Sequence, residues 1–254
     1  MTRRELARTL SPTAPEQTAI KNNHSSALCD RRHPPSTWRQ RRGGVLPAAN
    51  PRQARIGRPQ PSTNWRYHEA LATGGDVREL ETERLLLRQW KDSDYPAFAR
   101  MSADAEAMRY FPSVLTDAQS RDIADRCREL IDQRGWGFWA VEVKASNEFA
   151  GFIGLHVPSA ELPFSPCVEI GWRLARDFWG QGLATEGAQA ALDFAFHELS
   201  LAEVVAFTTL SNSRSQRVMQ RLGMVRSEKT FEHPGLPEGH ELRQHVLYRK
   251  RPDA

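Results

Sequence analysis

The segment VEIGWRLARDFWGQGLATEGAQAAL, residues 168–192, constrains the chain more than any other. A short run rich in β-branched and apolar residues passes through a turn with glycines at 180 and 182. It continues directly into alanines and leucines at helical spacing. A strand feeding a helix through a glycine turn brings backbone close to a ligand and leaves unpaired N–H groups at the helix start, an anion site suited to a diphosphate. The same arrangement serves dinucleotide and nucleoside-triphosphate proteins, but their spacings, G-x-G-x-x-G and G-K-S/T, are absent.

Around this segment the chain divides by composition. Residues 1–79 hold 14 Lys+Arg against 6 Asp+Glu, a balance of +8; the remainder holds 21 against 25, a balance of −4, for a net +4. The first part also carries 8 of the 16 prolines and little apolar periodicity. It cannot bury enough apolar surface to offset chain entropy, and it reads as a disordered basic arm. Three readings of the arm stay open: a nucleic-acid- or partner-binding tail, a targeting peptide, and upstream sequence translated from a wrongly assigned start. A GTG codon at Val77 could open the run VRELETERLLLRQW. The arm has Arg-Arg pairs but no apolar signal core, so secretion is not expected. No stretch approaches the ~20 apolar residues of a membrane helix. Cys29, Cys127 and Cys167 are widely spaced, without a C-x-x-C pair or a histidine at ligand spacing. Neither a disulfide framework nor a metal site is expected, and a reducing, cytoplasmic setting fits.

From residue 80 to 252 the periodicities are those of one α/β domain. Arg84 to Trp90 reads as a strand leading into a helix capped at Asp92 or Ser93, with Tyr95, Phe98 and Met101 inward. Thr116 with Gln119 forms a capping box for a second helix whose inward residues include Ile123, Cys127, Leu130 and Ile131 and which ends near Gly135. Cys127 is accordingly read as core rather than as a nucleophile. Phe138 to Val143 and Phe149 to Val157 form a hairpin, and Val168 to Leu174 a fourth strand. A helix follows with Ala184, Ala188, Ala191, Leu192 and Ala195 on one stripe, then a strand at Glu203 to Leu210 and a short helix over Asn212 to Leu222 stopped at Gly223. Met224 to Glu232 and Leu242 to Arg249 are the last strands. The expected architecture is α/β (α+β), a mostly antiparallel sheet of about seven strands with helices on both faces.

Trp179-Gly180-Gln181-Gly182-Leu183-Ala184 resembles the acyl-CoA loop of the GNAT acetyltransferase superfamily, written Q/R-x-x-G-x-G/A. Trp179 stands where Gln or Arg is usual, as in the branch with the ribosomal-protein N-terminal (Rim-type) acetyltransferases, where W-G-x-G is common. NSRSQRVMQRLGM, residues 212–224, is similar to the superfamily's N-x-x-S/A…K-L-G-F segment, with Gly223 eleven residues after Asn212. The resemblance implies a GNAT fold over residues 80–252 and acetyl-CoA as co-substrate. It also implies a splay of the strand before the loop, which frees the backbone of Trp172, Arg173 and Leu174. Cofactor contacts are implied at those three residues, at 179–184 and, for the pantetheine arm, at Asn212. Many relatives protonate the leaving thiolate with a tyrosine seven residues after the Asn; here that position is Met219, and Ser215 is the available hydroxyl.

Acetyl transfer from a thioester to an amine needs a neutral nucleophile, a donor for the developing oxyanion and a route for the thiolate to leave. Glu169, on the fourth strand, is the candidate base, with a solvated or salt-bridged strand residue as the alternative. His156 and Glu186 are less favoured as the base: His156 is expected to face a neighbouring strand, and Glu186 lies in the helix's first turn, where a carboxylate favours the dipole but would repel a diphosphate. Trp136, Phe138, Trp139 and Phe111-Pro112 are candidates for an acceptor slot or for core. The expected activity is N-acetylation of a primary amine, on a protein N-terminus or a small molecule, in a monomer or homodimer. Membrane and nucleic acid are not expected partners. The competing reading is a catalytically silent acyl-CoA-binding domain with a partner- or nucleic-acid-binding arm.

Overall fold

A computed structural model describes residues 76–252, so the arm lies outside the described residues except for its last four positions. Arg78 is already tied down: its N–H donates to Gly135 O (2.9 Å), and its carbonyl accepts from Trp139 Nε1 (2.7 Å). The strands are β1 (Leu80–Glu81), β2 (Leu85–Arg88), β3 (Phe138–Val143), β4 (Glu148–His156), β5 (Glu169–Leu174), β6 (Val204–Thr209), β7 (Val225–Arg226), β8 (Phe231–Glu232) and β9 (Gln244–Lys250). The helices are α1 (Tyr95–Ala103), α2 (Asp117–Arg134), α3 (Leu183–His197) and α4 (Ser213–Arg221).

The strands form one sheet in the order β1-β2-β3-β4-β5-β6-β9-β7, with β8 also on β9. All pairings are antiparallel except β5 with β6. Strand alternation sorts the side chains between two faces. On one, Phe98 of α1 meets Phe149 and Phe152 edge-on at 6.4 and 6.1 Å. On the other, α3 lies so close that a Cβ on Gly187 would sit 2.6 Å from Ile153 Cδ1. Two-residue β1, which pairs Leu80 with Leu87, was not expected from the sequence. The single expected strand Met224 to Glu232 is divided into β7 and β8, each holding two residues against β9.

Entry to α1 also differs from expectation. Asp92–Asp94 form a 3-10 turn, and Asp94 is buried in a bidentate pair with Arg88 (2.7 and 2.9 Å) while accepting from Lys91 N (2.8 Å). Its carboxylate holds β2 to the turn rather than capping the helix. The Thr116 capping box and the left-handed Gly135 stop on α2 match the sequence reading.

Candidate active site

β5 and β6 pair at a single register position, Glu169 opposite Val205, with Val205 N donating to Val168 O (2.9 Å). Beyond that point the two strands part. Ala175 N donates to Ala150 O on the β4 side (2.9 Å). Peptide edges alternate along a strand, so the amide of Arg173 also faces β4, whereas those of Trp172 and Leu174 face the gap. Of the three backbone positions expected at the cofactor, the structure therefore offers Trp172 and Leu174 and turns Arg173 away.

The glycine turn lies beyond the open end of this gap. Gly180 and Gly182 have φ of +75° and +82°, a region that costs any residue with a Cβ. Gly182 is the N-cap of the fifteen-residue α3. The amides of residues 180–185 reach no backbone carbonyl among the described residues, the first such bond being Glu186 N to Gly182 O (3.1 Å). Thr185 Oγ1, buried on the first turn and lining the same cavity, has no hydrogen-bond partner either. Trp179 gives the turn no side-chain donor: its indole N–H is spent on Leu174 O (2.7 Å), and its ring carries the Arg214 guanidinium at 4.6 Å. The exposed Gln181 side chain is likewise occupied, its Nε2 donating to Asp177 O (2.9 Å), and it does not line the cavity.

Glu186, expected to repel a diphosphate, is committed elsewhere. It accepts from Thr82 Oγ1 (2.6 Å), Arg84 N (2.9 Å) and Arg84 Nε (2.6 Å), and Arg84 also donates to Gln181 O (2.9 Å). The guanidinium neutralises the carboxylate and binds the loop to β2.

Asn212 caps α4, accepting from Ser215 N (3.1 Å) while its Nδ2 donates to Thr208 Oγ1 (3.0 Å). Its side chain thus fixes where β6 turns into α4. Ser215 lines the cavity, as do Arg217 and Arg221, which are one turn apart on the same helix. Met219, in the place of the usual tyrosine, is buried core that lines the cavity floor.

The cavity, about 690 Å³, passes through the gap from one face of the sheet to the other. Gly180, Gly182, Leu183, Ala184, Asn212 and Ser215 line it on the α3/α4 side; Glu169, Gly171 and Arg173 line it on the α1 side. Glu169 is 8% exposed, its Oε2 has no hydrogen-bond partner, and burial pushes its carboxyl up to about 8. The salt-bridged alternative is thereby removed. His156, opposite it on β4, is stacked on Phe138 (centroids 5.3 Å), and burial, aided by Arg134 and Arg126, brings it down to about 3. It is a neutral packing residue.

Of the aromatic candidates, Phe111, Pro112 and Phe138 line the cavity. Trp139 packs edge-on against Phe194 of α3 at 5.5 Å, and Trp136 is core. Sequence reasoning missed Phe207, His233 and His245, which wall the far end, and the side chain of Arg173. The alternation in Glu169-Ile170-Gly171-Trp172-Arg173 was the available signal for Arg173, since it places Glu169, Gly171 and Arg173 on one face. Cys127 and Cys167 are buried free thiols, pushed to about 12 by burial, and among the described residues no cluster of metal-ligating side chains occurs. No described helix is long and apolar enough to cross a membrane.

Residues 84–225 match the family model described as an acetyltransferase (GNAT) domain. The chain belongs to the GNAT acetyltransferase family. It is 32% identical over 147 residues to YkkB of Bacillus subtilis, covering 58% of this chain and 84% of that one. It is 40% identical over 114 residues to the FsC-acetyl coenzyme A-N(2)-transacetylase of Aspergillus fumigatus, covering 41% and 48%. A GNAT-family acetyltransferase structure from Bacillus anthracis superposes with a TM-score of 0.58 at 27% identity, covering 68% of this chain and 98% of that one. The protein is an acyltransferase enzyme of a family that uses acetyl-CoA as co-substrate.

Proposed function

We propose that this GNAT protein transfers the acetyl group of acetyl-CoA to a primary amine by direct attack within a ternary complex. The observation that carries the reading is a single cavity joining two chemistries: a row of free amides at the start of α3 and a buried carboxyl, Glu169, across the β5–β6 gap. Acetyl-CoA, when bound, supplies the acetyl group as an activated thioester.

The residues fit such a ligand. The amides of 180–185 and the Thr185 hydroxyl suit its diphosphate, at the positive end of the α3 dipole. Arg217 and Arg221 add positive charge along the same wall. The amides of Trp172 and Leu174 line the gap where the pantetheine and the acetyl carbonyl would lie. Asn212 acts by holding the β6–α4 corner in place.

Glu169 accepts the proton lost by the amine as the N–C bond forms, and the C–S bond breaks as electrons return to sulfur. Ser215 Oγ–H donates to the departing sulfur and is reprotonated from solvent. A thiol of pKa roughly 8.5 needs only partial proton transfer, so a weak donor suffices. Membership of the Rim-type branch is part of this reading, supported by the W-G-Q-G loop and by a serine, Ser215, lining the cavity one turn before Met219, which stands at the usual tyrosine position. A protein N-terminal α-amine and a small-molecule amine both suit a base of modest strength, since an α-amine of pKa about 8 is already one-tenth neutral at pH 7.

Thiol release from acetyl-CoA, followed with a panel of α-amino peptides, amino acids, polyamines and amino sugars, tests the activity. Turnover with at least one class is expected; acetyl-CoA binding without thiol release for any class would overturn it. Ser215→Ala is expected to lower kcat by roughly 10- to 1,000-fold with acetyl-CoA affinity nearly unchanged. A raised KM for acetyl-CoA at constant kcat would make Ser215 a binding residue instead.

A further inference from the structure

The face of β5 that carries Glu169 carries a second buried charge. Arg173 is 6% exposed, yet no carboxylate lies within ion-pair distance of its guanidinium among the described residues. Its Nε has no partner, and its one hydrogen bond among the described residues runs from Nη1 to the sulfur of Met108 at 3.4 Å, a weak acceptor. Its surroundings are rings: Phe111 at 4.3 Å, Phe152 at 5.1 Å and Phe98 at 5.9 Å from the guanidinium carbon. The other buried arginine, Arg88, shows how this fold satisfies such a group when the role is structural, with Asp94 gripping two of its nitrogens and Glu142 a third. Ring contacts worth about 0.5 to 2 kcal/mol each leave most of a several-kcal/mol desolvation cost uncompensated. Burial accordingly pulls Arg173 down to about 10.

Arg173 also lines the active-site cavity, two residues beyond Gly171 and four beyond Glu169 on the same face. Gly171 leaves the floor between them bare: a Cβ there would lie 3.0 Å from Phe138 Cε1 and 3.9 Å from Glu169 Oε1. Phe138 and Phe152, whose rings are 5.0 Å apart, form the wall. The slot therefore has a proton acceptor at one end, a cation at the other and hydrocarbon between.

We propose that the acceptor is a small amine that also bears a carboxylate, with the amine at Glu169 and the carboxylate paired to Arg173. The proposal rests on the acetyltransferase reading above and narrows its substrate. A monoanion is the match, because one guanidinium neutralises one charge and a dianion would leave an unpaired charge in an apolar cage. Four residues of strand span ~13 Å, and a hydrogen bond at each end takes up ~3 Å, so the amine and carboxylate are separated by roughly 5 to 8 Å. An α-amino acid is too short for both contacts; an ω-amino acid or a dipeptide fits.

Two matched pairs test this with the full chain and acetyl-CoA: 4-aminobutyrate against 4-aminobutyramide, and glycylglycine against glycylglycinamide. For the wild type, kcat/KM for each acid is expected to exceed that for its amide by 10- to 1,000-fold, and Arg173→Gln is expected to bring that ratio to within about threefold. A purely structural Arg173 would lower both members of a pair alike and leave the ratio intact. Amides turned over by the wild type as well as the acids would overturn the proposal while leaving acetyl transfer standing, and this comparison does not depend on the variant folding. Turnover confined to longer peptides with acidic first residues would overturn it in favour of a protein acceptor. Thiol release with no amine of any class would overturn the acetyltransferase reading itself.

Discussion

Gly182→Val is expected to weaken acetyl-CoA binding by at least 100-fold while leaving the fold in place. Gly182 has φ +82° at the N-cap of α3, a conformation a β-branched residue adopts only at a cost of order 1 to 3 kcal/mol. The loop can escape that cost by moving, because a Cβ at this position meets nothing nearer than Arg84 Nη2 at 3.5 Å and no core packing holds it. Movement would scatter the amides of residues 180–185, whose alignment forms the proposed binding site, while Val Cγ atoms would occupy the space into which those amides point. Gly239→Val provides the control: its φ of +79° imposes the same strain, nothing lies within 4 Å of its Cβ, and it does not line the cavity. Isothermal titration with acetyl-CoA and thermal melting of both variants separate the effects. Comparable melting temperatures with affinity lost only for Gly182→Val would follow from a site at this turn. Undiminished affinity in Gly182→Val would remove the assignment.

The same turn marks how far sequence reading reached. The strand, glycine turn and helix over residues 168–192 are contiguous, and each has its own local signature, so the fold class and the proposed cofactor loop were both legible there. The capping box at Thr116 and Gln119 was equally local and equally reliable. Where sequence reading stopped, the cause was distance along the chain. Glu186 looked hostile to a phosphate because its neutralising partner, Arg84, lies 102 residues earlier and meets it only across β2 and α3. Phe207, Phe231, His233 and His245 form one ring cluster, with His233 and His245 at 5.0 Å, only because β9 sits between β6 and β8 in the sheet. No periodicity within a single strand reports that order. β1, β7 and β8, at two residues each, are too short to show a period at all. Arg173 failed differently: its alternation with Glu169 was visible, but the absence of a partner is a property of the assembled fold.

Glu169→Gln is expected to lower kcat/KM by roughly 100- to 1,000-fold below pH 8, and the loss is expected to shrink above it. The Glu169 carboxyl is raised to about 8 by burial, with neutral His156 opposite, the protonated Cys167 thiol two residues before it and Arg173 four residues after it. In the wild type, an amine of pKa near 10 would bind as the ammonium to the carboxylate form, so kcat/KM should rise tenfold per pH unit up to about 8 and then level off. The glutamine variant has no proton acceptor and must wait for free amine, so its kcat/KM should rise without a break until the amine itself titrates. Below pH 8 the two profiles run parallel; between 8 and 10 they converge. A ratio constant across that whole interval would make Glu169 a positioning residue, and equal activities would remove it from the mechanism. Stability supplies an independent readout of the same carboxyl. Because its folded-state pKa lies above the ordinary value of 4.5, the folded protein holds a proton that the unfolded chain releases between those two values. Wild-type stability should therefore fall as pH rises from about 4.5 to 8, and Glu169→Gln, which holds no titrating proton, should gain in melting temperature relative to wild type over that window. A melting-temperature difference independent of pH would mean that Glu169 is not buried as a neutral acid, and the break expected in the rate profile near pH 8 would lose its cause.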